Sequence, residues 1–155
     1  MVHIFPKLNQ LFSQYVIMDN DYELNNLIWV WNGQDEDWYP GDEYVDIVGT
    51  DIYPGYQVAA PQTAQFERWV RAVEGRKIVA LTENGCVFDV DLAQREGAMW
   101  SFFDTWCGEF VLKVANLNFY SEQYTTEEIL KKAYESDIVV KRSGLPDLKN
   151  YPLPE

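Results

Sequence analysis

A chain of 155 residues that is 47% apolar is long enough for one domain with a substantial core and too apolar to be disordered. Its 25 acidic and 12 basic residues leave a formal charge of −13, which argues against nucleic acid or an anionic membrane as partner, because phosphate contacts need Lys and Arg. No apolar run reaches the roughly 18 residues of a membrane span.

The residue inventory narrows the chemistry further. There is one histidine, His3, and the two cysteines, Cys86 and Cys107, have neither metal-ligand nor disulfide-scaffold spacing. No metal site and no cofactor is expected, and any catalysis has to run on carboxylates. The N-terminus shows no basic patch followed by an apolar stretch, so the sequence as written carries no export signal. Aromatic residues make up 15% of the chain, with six Trp and ten Tyr. They serve either as core filling or as flat surfaces for sugar rings, and only position along the chain can decide.

In chain order, residues 4–16 read as an amphipathic helix, with Ile4, Leu8, Leu11, Phe12 and Tyr15 at helical spacing. "NNLIWVWN" (25–32) is a short apolar, aromatic run and predicts a strand over 26–32. "EYVDIVGTDIYPG" (43–55) predicts a second over 45–52, ended by Pro54-Gly55. Phe66, Trp69, Val70 and Val73 then mark a helix, which Gly75 stops. "KIVALTE" gives a third strand over 77–83, residues 91–100 a helix, and "SFFDTWCGEFV" a fourth strand near 101–107. The last helix opens at "TTEE", where Thr125 and Glu128 have capping-box spacing.

Strands alternating with helices predict a parallel sheet joined by right-handed crossovers, and apolar strands fit a sheet with covered faces. Three strand ends share a pattern: "TDIY", "LTENG" and "DTWCG" place Asp51, Tyr53, Glu83 and Trp106 at or near the carboxyl edge. Functional groups of α/β proteins gather at that edge. By strict alternation Asp51 and Tyr53 share a face with Gly49, and Glu83 shares one with Leu81 and Val79. An acid at the end of an apolar strand therefore reads as a site residue, against the plainer reading that Glu83 caps a helix or pairs with Arg95.

These four strand motifs, in this order and spacing, resemble the second half of a glycoside hydrolase family 26 enzyme of the endo-β-1,4-mannanase type, over roughly residues 8–148. The resemblance implies an α/β fold, a partial (β/α)8 TIM barrel made of its C-terminal half: about four βα units after a leading helix, residues 1–155 forming a single domain. It also implies site roles. Glu83 matches the nucleophile at the end of barrel strand seven, Tyr53 the tyrosine that orients it, Asp51 a nearby polar partner and Trp106 the tryptophan beneath the sugar. Trp31 and the loop carrying Trp38 are expected to line the cleft. The implied substrate is β-mannan or a related β-linked oligosaccharide, and family members are commonly secreted. The sequence starts on what resembles helix four, so the acid/base glutamate of the family lies outside it.

Three readings follow: a mannanase-type hydrolase impaired by the missing half or completed by another chain, a non-catalytic glycan binder, or a decayed fragment. A half-barrel also exposes strand edges, which predicts a homodimer or a missing N-terminal half as partner. Asp104, an acid within the fourth strand, is expected to need a buried partner. The Asp35-Glu36-Asp37 run reads as a solvated loop.

Overall fold

The computed structural model describes residues 26–113 and 116–147; the leading helix expected at residues 4–16 lies outside them. Four strands, β1 (Val30–Trp31), β2 (Ile47–Ile52), β3 (Ile78–Asn84) and β4 (Phe103–Thr105), form a sheet in the order β1-β2-β3-β4. All three pairings are parallel, as the alternating pattern requires. Helix α1 (Thr63–Ala72) connects β2 to β3, and α2 (Val90–Glu96) connects β3 to β4. Two 3-10 turns, Glu36–Trp38 and Asp42–Tyr44, stand between β1 and β2 in place of a helix.

The outer strands are shorter than the sequence predicts. The segment read as one strand from Ser101 contains β4 and a 3-10 turn at Gly108–Phe110, and an antiparallel hairpin, β5 (Leu112–Lys113) with β6 (Asn116–Tyr120), follows it. The alternation of Asn116 and Asn118 with Leu117 and Phe119 was the signal for β6. Helix α3 (Glu127–Glu135) follows.

The core lies on one face of the sheet. Val48 pairs with Val79, and Thr50 pairs with Leu81, which in turn pairs with Phe103, so these residues share that face. Trp69 and Val73 of the α1 segment, Val90 and Ala93 of α2 and Ala133 of α3 join Val48, Val79 and Leu81 in a single buried cluster. Each large apolar side chain so buried contributes about 1.5–3 kcal/mol relative to exposure. Aromatic rings meet edge to face within it: Trp31 on Trp69 at 5.3 Å and Phe66 on Trp100 at 5.1 Å. The indole of Trp100 donates to the Pro61 carbonyl at 2.8 Å, which satisfies the polar end of a buried ring. No helix among the described residues is long and apolar enough to cross a membrane.

Helix ends correct two expectations. Helix α2 stops at Glu96, because Gly97 takes a left-handed conformation at its C-cap. Helix α3 is capped by Thr126, which accepts from the Ile129 amide, and not by Thr125. Thr125 is buried and its hydroxyl oxygen already accepts from the Val87 amide at 2.9 Å. Asp104 is exposed, so it needs no buried partner.

Asp89 both caps α2 and ties it to α3. Its Oδ1 accepts from the Asp91 and Leu92 amides, and its carboxylate meets Lys132 Nζ at 2.7 Å. The Lys132 hydrogen bond holds the Asp89 carboxyl below the usual carboxylate range. A carboxyl whose pKa is lowered by folding stabilises the protein above the unfolded value, about 3.9, and loses that contribution as pH falls through the folded one. Asp89→Asn keeps the cap acceptor and removes the charge. Its melting temperature is expected to fall below wild type at pH 7, and the gap to narrow as pH falls below the unfolded value of about 3.9 and through the lowered folded one. Thermal unfolding of both proteins across that range checks this.

Candidate active site

The polar residues of the sheet gather beyond its carboxyl edge. Between Thr50 and Asp51 the register of β2 against β3 shifts by one: Thr50 stands opposite Leu81, but Asp51 stands opposite Glu83. Thr82 is the extra residue, a β-bulge. Strict alternation puts Glu83 on the helix face with Leu81. The bulge brings it instead alongside Asp51, the face of Gly49, and this corrects the parity expected from sequence.

Glycine at 49 makes the bulge possible. A Cβ there would lie 2.3 Å from Thr82 Cγ2 and 2.6 Å from Thr82 Oγ1. With no side chain in the way, the Thr82 hydroxyl sits 3.1 Å from the Thr50 carbonyl oxygen and 3.0 Å from Asp51 Oδ1.

Asp51 is held from a second side. Its Oδ1 also accepts from Asn32 Nδ2 at 2.8 Å. Gln34 braces both: its Oε1 accepts from Thr50 Oγ1 and from the Asp51 amide, each at 3.0 Å, and its Nε2 donates to Asn32. Gln34 adopts a left-handed backbone, φ 61°, a conformation costing of order 1–3 kcal/mol for a residue with a side chain and offset by these three bonds. Asn32, Gln34, Thr50 and Thr82 were not singled out in the sequence. Their only signal is polar residues directly following, or interrupting, apolar strands.

Glu83 meets Tyr53. The Tyr53 hydroxyl donates to Glu83 Oε2 at 2.7 Å, a short, charge-assisted bond; Arg95 does not take part. Desolvation, and after it the hydrogen bond and charge of Glu83, push the Tyr53 phenol well above its ordinary value, so it stays a donor across physiological pH. Two carboxylates thus stand side by side, each held by neutral donors and neither bonded to a cation among the described residues.

The aromatic candidates separate. Trp106 follows β4, its amide donates to the Asn84 carbonyl at 2.9 Å, and it is 48% exposed at the level of Glu83. Trp31 is 5% exposed and packed between Tyr39 and Trp69, so the expectation that it lines a cleft gives way to a packing role. Its pairing with Val48 turns it to the helix face. Trp38 is partly exposed, on a turn that Glu36 ties to Arg68 of α1 at 2.5 Å. In the same turn Asp35 accepts from the Asp37 amide, so the acidic run serves capping and ion pairing. Among the described residues no group of three His, Cys, Asp or Glu is arranged to hold a metal. Cys86 is buried with its thiol 2.9 Å from the Gly55 carbonyl oxygen, Cys107 is exposed, and both are free.

Similarity to known proteins converges on one family. The family model for Glycosyl hydrolase family 26 matches residues 4–133. The chain is 36% identical over 132 residues to mannan endo-1,4-beta-mannosidase B of Piromyces sp, covering 85% of this chain and 21% of that protein. It is 35% identical over 121 residues to mannan endo-1,4-beta-mannosidase of Thermothelomyces thermophilus, covering 78% and 23%. The chain therefore spans about a fifth of the length of these curated relatives. Among solved structures, the Podospora anserina GH26-CBM35 beta-(1,4)-mannanase superposes with a TM-score of 0.78 at 31% identity, over 90% of this chain and 29% of that one. A beta-mannanase from a symbiotic protist of the termite Reticulitermes speratus, complexed with gluco-manno-oligosaccharide, gives 0.77 at 33%, over 90% and 41%.

The Gly49–Thr82 contact yields a direct test. Gly49→Ala is expected to destabilise the chain by about 1–3 kcal/mol, because Thr82 has to leave the space the methyl takes. Adding Thr82→Ala should recover a large part of that loss, a non-additivity expected only of residues in contact. Denaturant unfolding of the two single variants and the double variant measures it.

Proposed function

The chain belongs to glycosyl hydrolase family 26, and on that premise we propose that it carries the nucleophile side of a retaining β-mannanase site. In this reading Glu83 attacks the anomeric carbon of a β-1,4-linked mannosyl unit and Tyr53 holds the attacking carboxylate in place. Asp51, anchored at Oδ1, offers its other oxygen to a sugar hydroxyl, and Trp106 gives the ring a flat surface. The observation that carries the reading is the 2.7 Å Tyr53–Glu83 hydrogen bond at the rim of a parallel sheet. The fold proposed around it is part of a (β/α)8 barrel.

A retaining glycosidase needs a second carboxylate about 5–5.5 Å from the first, to protonate the leaving oxygen and later to activate water. Asp51 is poorly placed for that work, since its Oδ1 already accepts from the Asn32 and Thr82 side chains. Glu109 is exposed on the turn beyond β4. We therefore assign the acid to residues other than those described, in a longer polypeptide or a partner chain. The open sheet edges support this: among the described residues β1 pairs only with β2 and β4 only with β3, and Ile28, Val30 and Phe102 are exposed nearby. Such edges invite a further strand, either from a second copy or from the rest of a barrel. The second reading, a glycan binder without turnover, is favoured by the exposed rings of Tyr53 and Trp106.

The 155-residue chain is expected to turn over an aryl β-mannoside with a good leaving group slowly, and to cleave mannan about 10²–10⁴-fold less well than full-length relatives, the usual worth of general acid help. Glu83→Ala should abolish the aryl mannoside activity. Tyr53→Phe should lower it about 10–150-fold, since a hydrogen bond to a charged group is worth about 1.5–3 kcal/mol. Aryl release with no dependence on Glu83 removes the nucleophile reading. Light scattering on the same preparation should report a species larger than the 18.1 kDa of one chain.

A further inference from the structure

The sequence holds two Asn-Gly pairs, Asn32-Gly33 and Asn84-Gly85, each at the carboxyl end of a strand, β1 and β3. Asparagine is chemically labile, and most so before glycine, where no Cβ hinders the next amide nitrogen as it approaches the side-chain carbon. The structure sets the two pairs in opposite surroundings. Asn84 is guarded at every atom such an attack needs. It is 1% exposed and Gly85 is buried with it, so both are shut away from base and water. The Gly85 amide already donates to the Ile52 carbonyl at 3.1 Å. Asn84 Nδ2 donates to the Cys86 carbonyl, while Oδ1 is buried with no donor among the described residues. Negative charge developing on that oxygen would have no support.

Asn32 lacks these guards. It is exposed, and among the described residues no hydrogen bond engages the Gly33 amide. Gln34 Nε2 donates to Asn32 Oδ1, the atom on which charge builds when the side-chain carbon is attacked. Packing also forbids a bulkier neighbour that would hinder the attack. A Cβ on Gly33 would stand 2.2 Å from Trp31 Cζ2 and 2.5 Å from Trp31 Cε2, and Trp31 is buried. The glycine that makes Asn32 labile is thus fixed by the core ring behind it.

We propose that Asn32 is a site of spontaneous deamidation, and that its conversion releases Asp51 from its anchor. The Gly33 nitrogen gives up its proton to water or hydroxide and attacks Asn32 Cγ. A nitrogen–carbon bond forms, the Cγ–Nδ2 bond breaks, and Nδ2 leaves as ammonia with a proton from solvent, closing a succinimide ring. Water then opens the ring. Addition at Cγ gives aspartate; addition at the main-chain carbonyl gives isoaspartate, which lengthens the backbone by a methylene. Nothing is oxidised or reduced. Aspartate replaces the donor 2.8 Å from Asp51 Oδ1 by a carboxylate oxygen, and two carboxylates at that distance cannot both stay ionised. Isoaspartate displaces Gln34, whose side chain braces Thr50 and the Asp51 amide. The modification stands on its own observations; only its effect on turnover rests on the glycosidase reading.

Incubation of the full chain at mildly alkaline pH tests it, followed by peptide mapping with mass spectrometry and isoaspartyl methyltransferase labelling. The same chain unfolded in urea is the comparison. The expected result is conversion of Asn32 to aspartate and isoaspartate in the folded chain with Asn84 intact, and conversion of both in urea. Aryl β-mannoside turnover should fall as the converted fraction rises. Asn32→Asp should start about tenfold or more below wild type, the scale of a lost hydrogen bond to a charged group. Asn32→Gln, whose longer side chain closes the ring poorly, should hold its own starting value through the same incubation. The proposal is overturned if Asn32 stays intact in the folded chain while Asn84 is converted in urea. It is equally overturned if Asn84 is converted as fast as Asn32 in the folded chain, or if turnover keeps its starting value as Asn32 is converted. Conversion at Asn32 in a chain without Glu83-dependent turnover keeps the modification site and removes the nucleophile reading.

Discussion

The rim of this sheet hangs on the packing of Thr82 against Gly49. A strand has a period of two, so any residue inserted into it reverses every side chain that follows. β3 spends its first residues building a core, with Val79 and Leu81 on the helix face. Without the extra residue, Glu83 would follow them into that apolar layer, where an unpaired carboxylate costs far more than a hydrogen bond returns. The bulge turns it out, and Gly49 supplies the space. The same hydroxyl that fills this space reaches Asp51, so one local irregularity both redirects one acid and fixes its neighbour.

The two faces of the sheet then divide the labour. The helix face carries the branched and aromatic side chains that hold α1, α2 and α3 in one cluster. The other face is lined by Gly49 and Ala80, small residues that bring little apolar area to the fold. Stability is therefore drawn from one side, leaving the other free to hold polar groups in chosen positions. Gln34 illustrates the cost of that freedom: it accepts an unfavourable backbone conformation in order to brace Asn32, Thr50 and Asp51 together.

Much of this was legible in the sequence where a single period governed a long segment. The parallel sheet, the α1 stripe from Phe66 to Val73 and the placement of Asp51, Tyr53 and Glu83 at strand ends all follow from patterning. The failures come where two local rules compete. Thr125 and Thr126 are equally good caps on composition, and the choice fell to Thr126 because a non-local amide, that of Val87, claimed Thr125. Trp31 was indistinguishable from a surface ring until α1 brought Trp69 against it. The bulge has no sequence mark beyond a threonine before an acid, and the hairpin β5–β6 lies in a stretch to which the sequence pattern assigned no element. Asn32 and Gln34 are ordinary loop residues whose value comes only from the strand end beside them.

The electrostatics of the rim bear on the proposed chemistry. Asp51 and Glu83 are opposite one another across two strands, like charges that repel at such range unless each is compensated. A cation between them would be the simplest remedy. Instead Asp51 is held by Asn32 and Thr82 and Glu83 by Tyr53, all neutral donors that support a negative charge without cancelling it. The rim thus keeps a net negative field directed at whatever stands above it. The glycosyl transition state develops positive charge on the sugar ring, and a unit charge about 4 Å from a carboxylate gains roughly 4 kcal/mol at the effective dielectric of a protein surface. A Lys or Arg in the position of Tyr53 would orient Glu83 equally well and forfeit that attraction. Neutral donors are the arrangement that orders an acid without placing a cation beside it, which is the demand a glycosidase nucleophile makes of its neighbours.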